Sequence, residues 1–209
     1  MKPLFIFACM MASLFSTVPT YAQEVDANAL WNPRDGTWEA ISSKCSRGKS
    51  KLFVSCIALN MRQKGASQQA VEFTKSMKGE VYLSSFREMG KVDLAEITAP
   101  LLNDPIVTTF ILVNGSTNIL DLWRKVEGID ITRDRNYANF VRRFPNVELW
   151  PMYGFDRMQK LSGGGQRFIF DFTLLNGCRG CEVAGSAKIA FDFDASGLFF
   201  RTSLIGLFQ

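Results

Sequence analysis

The chain has 209 residues, 47% hydrophobic and 21% charged, which is the composition of a folded domain with a substantial core, not of a disordered segment. Its formal charge of +4 is small and spread along the chain, and this argues against nucleic acid as a partner. It contains no histidine, so Ser-His-Asp and Cys-His catalysis and histidine-ligated zinc are excluded.

Residues 1–22 have the pattern of a secretory leader. Lys2 is followed by an apolar run over 4–15, and Thr20-Tyr21-Ala22 is a small-x-small cleavage site before Gln23. The run is too short to span a bilayer, and no later stretch is long and apolar enough to do so. The expectation is an exported protein, periplasmic or secreted, with one domain over 23–209. Cys9 leaves with the leader. Cys45, Cys56, Cys178 and Cys181 remain, and an even count in an oxidising compartment implies two disulfides. Three pairings exist, and proximity in sequence favours Cys45–Cys56 and Cys178–Cys181.

Residues 23–35 are small and polar enough to predict a loose arm. Helices are predicted over 36–45, 49–62 and 68–77. Leu52, Phe53, Cys56, Ile57, Leu59 and Met61 form the apolar stripe of the second, and Ser67 caps the third. Extended segments follow at 80–86 and 91–98. Residues 106–113 are β-branched and aromatic and end in Asn114-Gly115, a hairpin signal that puts a return strand at 118–122. Tyr137, Phe140, Val141 and Phe144 have the spacing of a short amphipathic helix ended by Pro145. A short extended piece is expected over 147–150, before Pro151.

Arg133, Arg135, Arg142 and Arg143 make 123–144 the most basic stretch of the mature chain. It reads either as an anion or acidic-partner site or as a solvated helix face offset by Asp130 and Asp134. The glycines at 163–165 lack the Lys-Ser/Thr of a phosphate loop and run into a strand.

The C-terminal segment, 166–208, carries the strongest pattern. Phe168-Ile169-Phe170-Asp171-Phe172 is echoed by Ile189-Ala190-Phe191-Asp192-Phe193, with Cys178-Arg179-Gly180-Cys181 between them. A hairpin centred on Arg179-Gly180 puts Asp171 opposite Lys188. Phe168, Phe170, Phe172 and Leu174 then share one face with Ala187, Ile189, Phe191 and Phe193. The aspartates go to the other face, toward solvent or partnered by Lys188 and Arg201, which disfavours a carboxylate-pair glycosidase. A turn at 194–197 returns a third strand, with Leu198, Phe200 and Leu204 expected on the phenyl face. The N-terminal helices can cover that face. If they leave it unfilled, an apolar cavity results.

Thiol–disulfide enzymes place a CxxC at the head of a helix, whose dipole stabilises the thiolate. Here the flanks are strands, so a structural staple is favoured over a redox pair at Cys178 and Cys181. A four-cysteine metal site has little support from the wide Cys45–Cys56 spacing. Asp192-Phe193-Asp194-Ala195-Ser196-Gly197 matches half of a calcium loop, but Ser203 stands where the bidentate glutamate is needed. No cofactor or metal is therefore expected.

The fold class read from these elements is α+β, with N-terminal helices on a largely antiparallel sheet that ends in a C-terminal β-meander. The function expected is a non-catalytic binding or interaction domain stabilised by disulfides, with another envelope or extracellular protein as partner. The alternatives are a thiol–disulfide redox protein and a carrier of a small apolar ligand.

Overall fold

Three N-terminal helices and two four-stranded antiparallel sheets stack in layers in the computed structural model, which describes residues 25–45, 50–99, 107–114 and 118–209. The α+β class and the closing meander are as expected. The leader, the turn at 46–48, the loop at 100–105 and the turn at Gly115 lie outside the described residues.

The helices are α1 (Thr37–Lys44), α2 (Ser50–Gln63) and α3 (Gln68–Ser76). Ser67 caps α3 as predicted, its Oγ accepting from the Ala70 N–H at 3.0 Å. Ile57, Ala58 and Met61 of α2 are buried against Trp38, Ile41, Ala70 and Val71, whereas Leu52 and Leu59 point to solvent. Cys45 and Cys56 are bonded and staple α1 to α2. Asn60 is buried beside them, donating to the Cys56 carbonyl at 2.9 Å and accepting from Lys44 Nζ at 3.0 Å.

The predicted loose arm is corrected: from residue 25 onward it is docked. A 3₁₀ turn at Ala27–Ala29 is capped by Asp26, and Val25 and Ala29 are buried beside Phe73, Val81 and Leu83. The Trp31 N–H donates to the Leu83 carbonyl at 3.0 Å, and its ring meets Trp38 and Tyr82. An indole of that size gains too much from burial to stay in water.

The first sheet runs β1 (Tyr82–Arg87), β2 (Asp93–Ala99), β3 (Val107–Asn114) and β4 (Asn118–Asp121), in that order. It is buried on both faces. Ala95, Ile97, Ile111 and Val113 pack toward α3 and the docked arm, while Leu94 and Leu112 face the second sheet. Helix α4 (Leu122–Val126) adds Leu122 and Val126 to that inner layer.

The second sheet runs β5 (Val147–Lys160), β6 (Gln166–Asn176), β7 (Val183–Phe193) and β8 (Phe199–Phe208). The register of β6 and β7 is the predicted one, with Asp171 opposite Lys188, and the inward Phe168, Phe170, Phe172 and Phe191 are fully buried. The first sheet and α4, not the N-terminal helices, cover this phenyl face at one end. At the hairpin-tip end α5 (Tyr137–Arg143) covers it, with Phe140 against Leu174, Ala187 and Leu207. Both kinds of cover satisfy the same apolar demand, so the sequence pattern does not distinguish them.

β5 also differs from expectation, since it passes through Pro151 and continues to Lys160. It is an edge strand, and its register with β6 shifts between Leu149 and Tyr153, so the missing proline N–H leaves no ladder bond unmade. Tyr153 stacks on Phe172 at 4.6 Å and donates to the Phe110 carbonyl at 3.3 Å, joining the two sheets.

Gln166 makes a second joint. Its Oε1 accepts from the Lys91 and Val92 N–H groups, both at 2.9 Å, and its Nε2 donates to the Met89 and Val92 carbonyls at 3.0 and 3.1 Å. One buried amide thus satisfies four backbone groups of the β1–β2 turn. Gly90 passes so close that a Cβ there would lie 3.2 Å from the amide, at a φ of 138° that L-residues rarely adopt. Gln166→Leu should cost about 3 kcal/mol or more, because several buried polar groups lose their partner at once. Urea denaturation checks this, and a loss below about 1 kcal/mol would show that the turn re-satisfies itself.

Candidate binding surface

The β6–β7 hairpin presents the CxxC at its tip. Gly177 and Gly180 take the left-handed conformation at φ of 92° and 88°, and the Cys181 N–H donates to the Cys178 carbonyl at 3.0 Å. Cys178 and Cys181 are bonded, and the tip from Gly177 to Gly180 is exposed. No helix starts there, so no dipole is aimed at either sulfur. The two cysteine pairs belong to different layers, one inside the helical layer and one at the hairpin tip.

The half-matched calcium loop separates into two unrelated structures. Asp194 Oδ1 accepts from the N–H groups of Ser196 and Leu198 at 2.8 and 2.9 Å and from Ser196 Oγ at 2.6 Å, which makes a self-bonded turn. Those donors hold its carboxyl below the usual range, the Ser196 hydroxyl first. Asp192 belongs to the sheet instead.

On the outer face of the second sheet, Asp192 lies directly opposite both Arg167 of β6 and Arg201 of β8. Arg167 Nε and Nη2 reach its two oxygens at 2.7 and 2.9 Å, and Arg201 Nη2 and Nε reach Oδ2 at 2.6 and 3.0 Å. The aspartate was expected toward solvent or partnered. It is partnered, and its side chain is 0% exposed beneath the two guanidinium groups. The Arg167 hydrogen bond, ahead of opposing desolvation, holds its carboxyl below the ordinary range. A second group stands beside the first: Lys188 Nζ lies 2.8 Å from Asp156 and 3.0 Å from Asp171. Pairing with Asp156 and Asp171 raises the lysine, and the lysine in turn lowers Asp156.

β8 is the outer edge next to this face. Leu198 and Phe200 do not join the phenyl layer. An extra residue in β8 opposite the Asp192–Phe193 step turns Phe200 outward, and Phe199 packs on Phe193 in its place. Leu204 points inward as expected. A second extra residue, Ile205, lies opposite the Lys188–Ile189 step and is also exposed. Together with Leu198 and Phe208, these two extra residues present apolar surface, the four being between 44% and 61% exposed. Arg201 and Lys188 sit over the Phe200 and Phe208 rings at 5.9 and 5.8 Å.

A cleft of about 410 Å³ opens between β8 and the connection from α4 to α5. Gly128, Ile129, Asp130, Arg133 and Asp134 form one wall, and Thr202, Ser203 and Leu204 the other. Of the four arginines singled out by sequence, only Arg133 lines it, paired with Asp130 at 3.1 Å. Arg135 is exposed just beyond. Arg142 and Arg143 end α5, about 10 Å along the helix axis, where Arg142 bonds Asn139 and Arg143 lies over Phe144. The four do not converge on one point.

Sequence reasoning missed Arg167, Thr202, Ser203 and the cleft. The Arg167–Asp192 match is readable from the same hairpin register that pairs Asp171 with Lys188. The cleft has no sequence signal, because the path of the α4–α5 connection creates it. Comparison of the chain with protein-family models, curated proteins and solved structures returned no match.

Asp192→Asn should destabilise the protein by about 2–3 kcal/mol at neutral pH, toward the low end for a broken buried pair because both arginines keep contact with water. The folded-state pKa of Asp192 is depressed, so its contribution is full above the unfolded value near 4 and is lost as pH falls through the folded value. The stability gap between wild type and variant should therefore narrow from pH 7 toward pH 2. A gap independent of pH in urea titrations would rule out the charge pairing as its source.

Proposed function

We propose that this chain is an exported, non-catalytic binding domain that docks another envelope or extracellular protein on β8. The observation that carries this reading is the exposure of Phe200, Ile205 and Phe208 along one edge strand and of Leu198 in the turn that leads into it. Exposed apolar side chains over a rigid sheet, with arginine and lysine interleaved, have the composition of a protein-binding surface. The leader-like residues 1–22 and the two disulfides support a periplasmic or secreted location. Among the described residues no helix is long and apolar enough to cross a membrane. The phenyl face, the surface on which an apolar carrier reading rests, is filled by side chains of the first sheet and by α4 and α5.

N-terminal sequencing of the cell-produced protein should begin at Gln23. Cross-linking followed by affinity capture from the native envelope should recover a defined partner. Replacing Phe200 and Phe208 together by Asp should abolish capture while costing only about 1–2 kcal/mol of stability, since both rings are about half exposed and give up mainly their contacts with Arg201 and Lys188. Equal capture by the variant would place docking elsewhere on the molecule.

The exposed Cys178–Cys181 bond is the one feature that favours a redox reading, because a partner thiolate has access to it. On the binding reading, a Cys178→Ser/Cys181→Ser double variant keeps the partner. Turnover of a disulfide substrate by the wild type and not by this variant would establish the redox reading instead.

A further inference from the structure

We propose that the cleft beside β8 binds a short extended peptide segment bearing a lysine or arginine, which adds to the outer edge of β8 along Thr202–Leu204. This inference deepens the binding-domain reading and rests on it.

The geometry of the wall comes first. Thr202, Ser203 and Leu204 stand opposite Phe191, Ala190 and Ile189. Consecutive side chains on a strand point to opposite faces, so Thr202 and Leu204 lean inward and Ser203 outward. All three border the cleft, as they would where a cleft runs along the edge of the strand. The backbone of β8 is therefore part of its lining. β8 is last in the order of its sheet, so the N–H and C=O groups of its outer edge have no neighbouring strand.

Farther along, that edge is already satisfied by substitution. Asn136 Nδ2 donates to the Leu207 carbonyl at 3.2 Å, standing where the N–H of an adjacent strand would be. Upstream the chain withdraws. Among the described residues, no hydrogen bond joins Gly128–Asp134 to Thr202–Leu204, and the hydroxyls of Thr202 and Ser203 have no hydrogen-bond partner. The cleft thus holds the position of a further strand and leaves its polar groups unmatched. Three residues of edge span about 10 Å, and the volume falls in the usual range for ligand sites, which suits a segment of roughly three residues.

Charge selects the segment. Arg133 is engaged with Asp130. Asp134 Oδ1 accepts from the Asn136 N–H at 2.7 Å, and its Oδ2 has no hydrogen-bond or ion-pair partner among the described residues. Arg135 does not line the cleft. The wall therefore offers one uncompensated carboxylate oxygen in a lining that also includes the apolar Ile129 and Leu204. That arrangement suits a lysine or arginine, whose stem lies on apolar surface while its head meets the carboxylate.

The test uses the mature protein and three blocked peptides: acetyl-Val-Lys-Val-amide, its Glu counterpart, and the Lys peptide N-methylated along its backbone. Binding is followed by NMR, reading the amide resonances of Thr202, Ser203 and Leu204. The Lys peptide should shift these resonances and protect them from exchange. The Glu and N-methylated peptides should bind at least about fivefold more weakly. Asp134→Asn, with an unchanged unfolding midpoint, should reduce the preference for Lys over Glu by a similar factor. Equal binding of the N-methylated peptide would overturn strand addition, and equal binding of Lys and Glu peptides would overturn the charge selection. No shift at millimolar peptide, or protein-concentration-dependent shifts from a second copy on the same edge, would overturn the proposal. If Asp134→Asn leaves envelope partner capture intact while the Phe200/Phe208 variant loses it, this inference fails and the broader docking reading survives.

Discussion

The phenyl face of β6 and β7 must be kept from water, and most of the architecture follows from that demand. Phe168, Phe170, Phe172 and Phe191 are fully buried on it, and each contributes about 1.5–3 kcal/mol of burial that an uncovered sheet would forfeit. No single helix is wide enough to cover a four-stranded face. A second sheet covers one end and α5 the other. The first sheet is then apolar on both sides, so a further layer must shield its far face, and α3 with the docked N-terminal segment meets that need. The order of the layers is a chain of such requirements, each created by the one before.

Polar joints fix the register that apolar packing leaves loose. Gln166 sits at the start of β6, where the phenyl face ends, and binds the β1–β2 turn through both ends of its amide. Asn114 does the converse, reaching from the first sheet to donate to the Gly197 carbonyl in the β7–β8 turn at 2.7 Å. On the outer face, Asp192 ties three adjacent strands through Arg167 and Arg201. These groups have directional demands that a phenyl ring lacks, so they specify position where packing alone tolerates sliding.

Much of the fold was legible because its strongest signals are local. Helical spacing, the Ser67 cap and a turn centred on Arg179-Gly180 between two alternating phenylalanine runs suffice for α2, α3 and the β6–β7 register. The adjacent cysteine pairings follow from the same closeness in sequence. What was not legible depends on distant partners. Phe200 faces outward because β8 carries an extra residue there, and alternation counted from the sequence has no way to register a bulge. Residues 25–35 dock because Trp31 finds Trp38 and Tyr82, a contact invisible in a short polar stretch. The cleft is the furthest case, since its two walls lie some seventy positions apart in the chain.

The irregularities of the second sheet have a consequence for how the protein behaves at high concentration. On β8, Phe200 and Ile205 are extra residues, so the regular stretch between them is four residues, Arg201 to Leu204. On the opposite edge, β5 carries Pro151 and two register shifts. An interrupted edge can take a short guest, but it cannot template the long, flat ladder from which fibrils grow. A phenylalanine-rich sheet with two straight edges would polymerise through them. Bending both edges works against that route of assembly while apolar side chains remain on display.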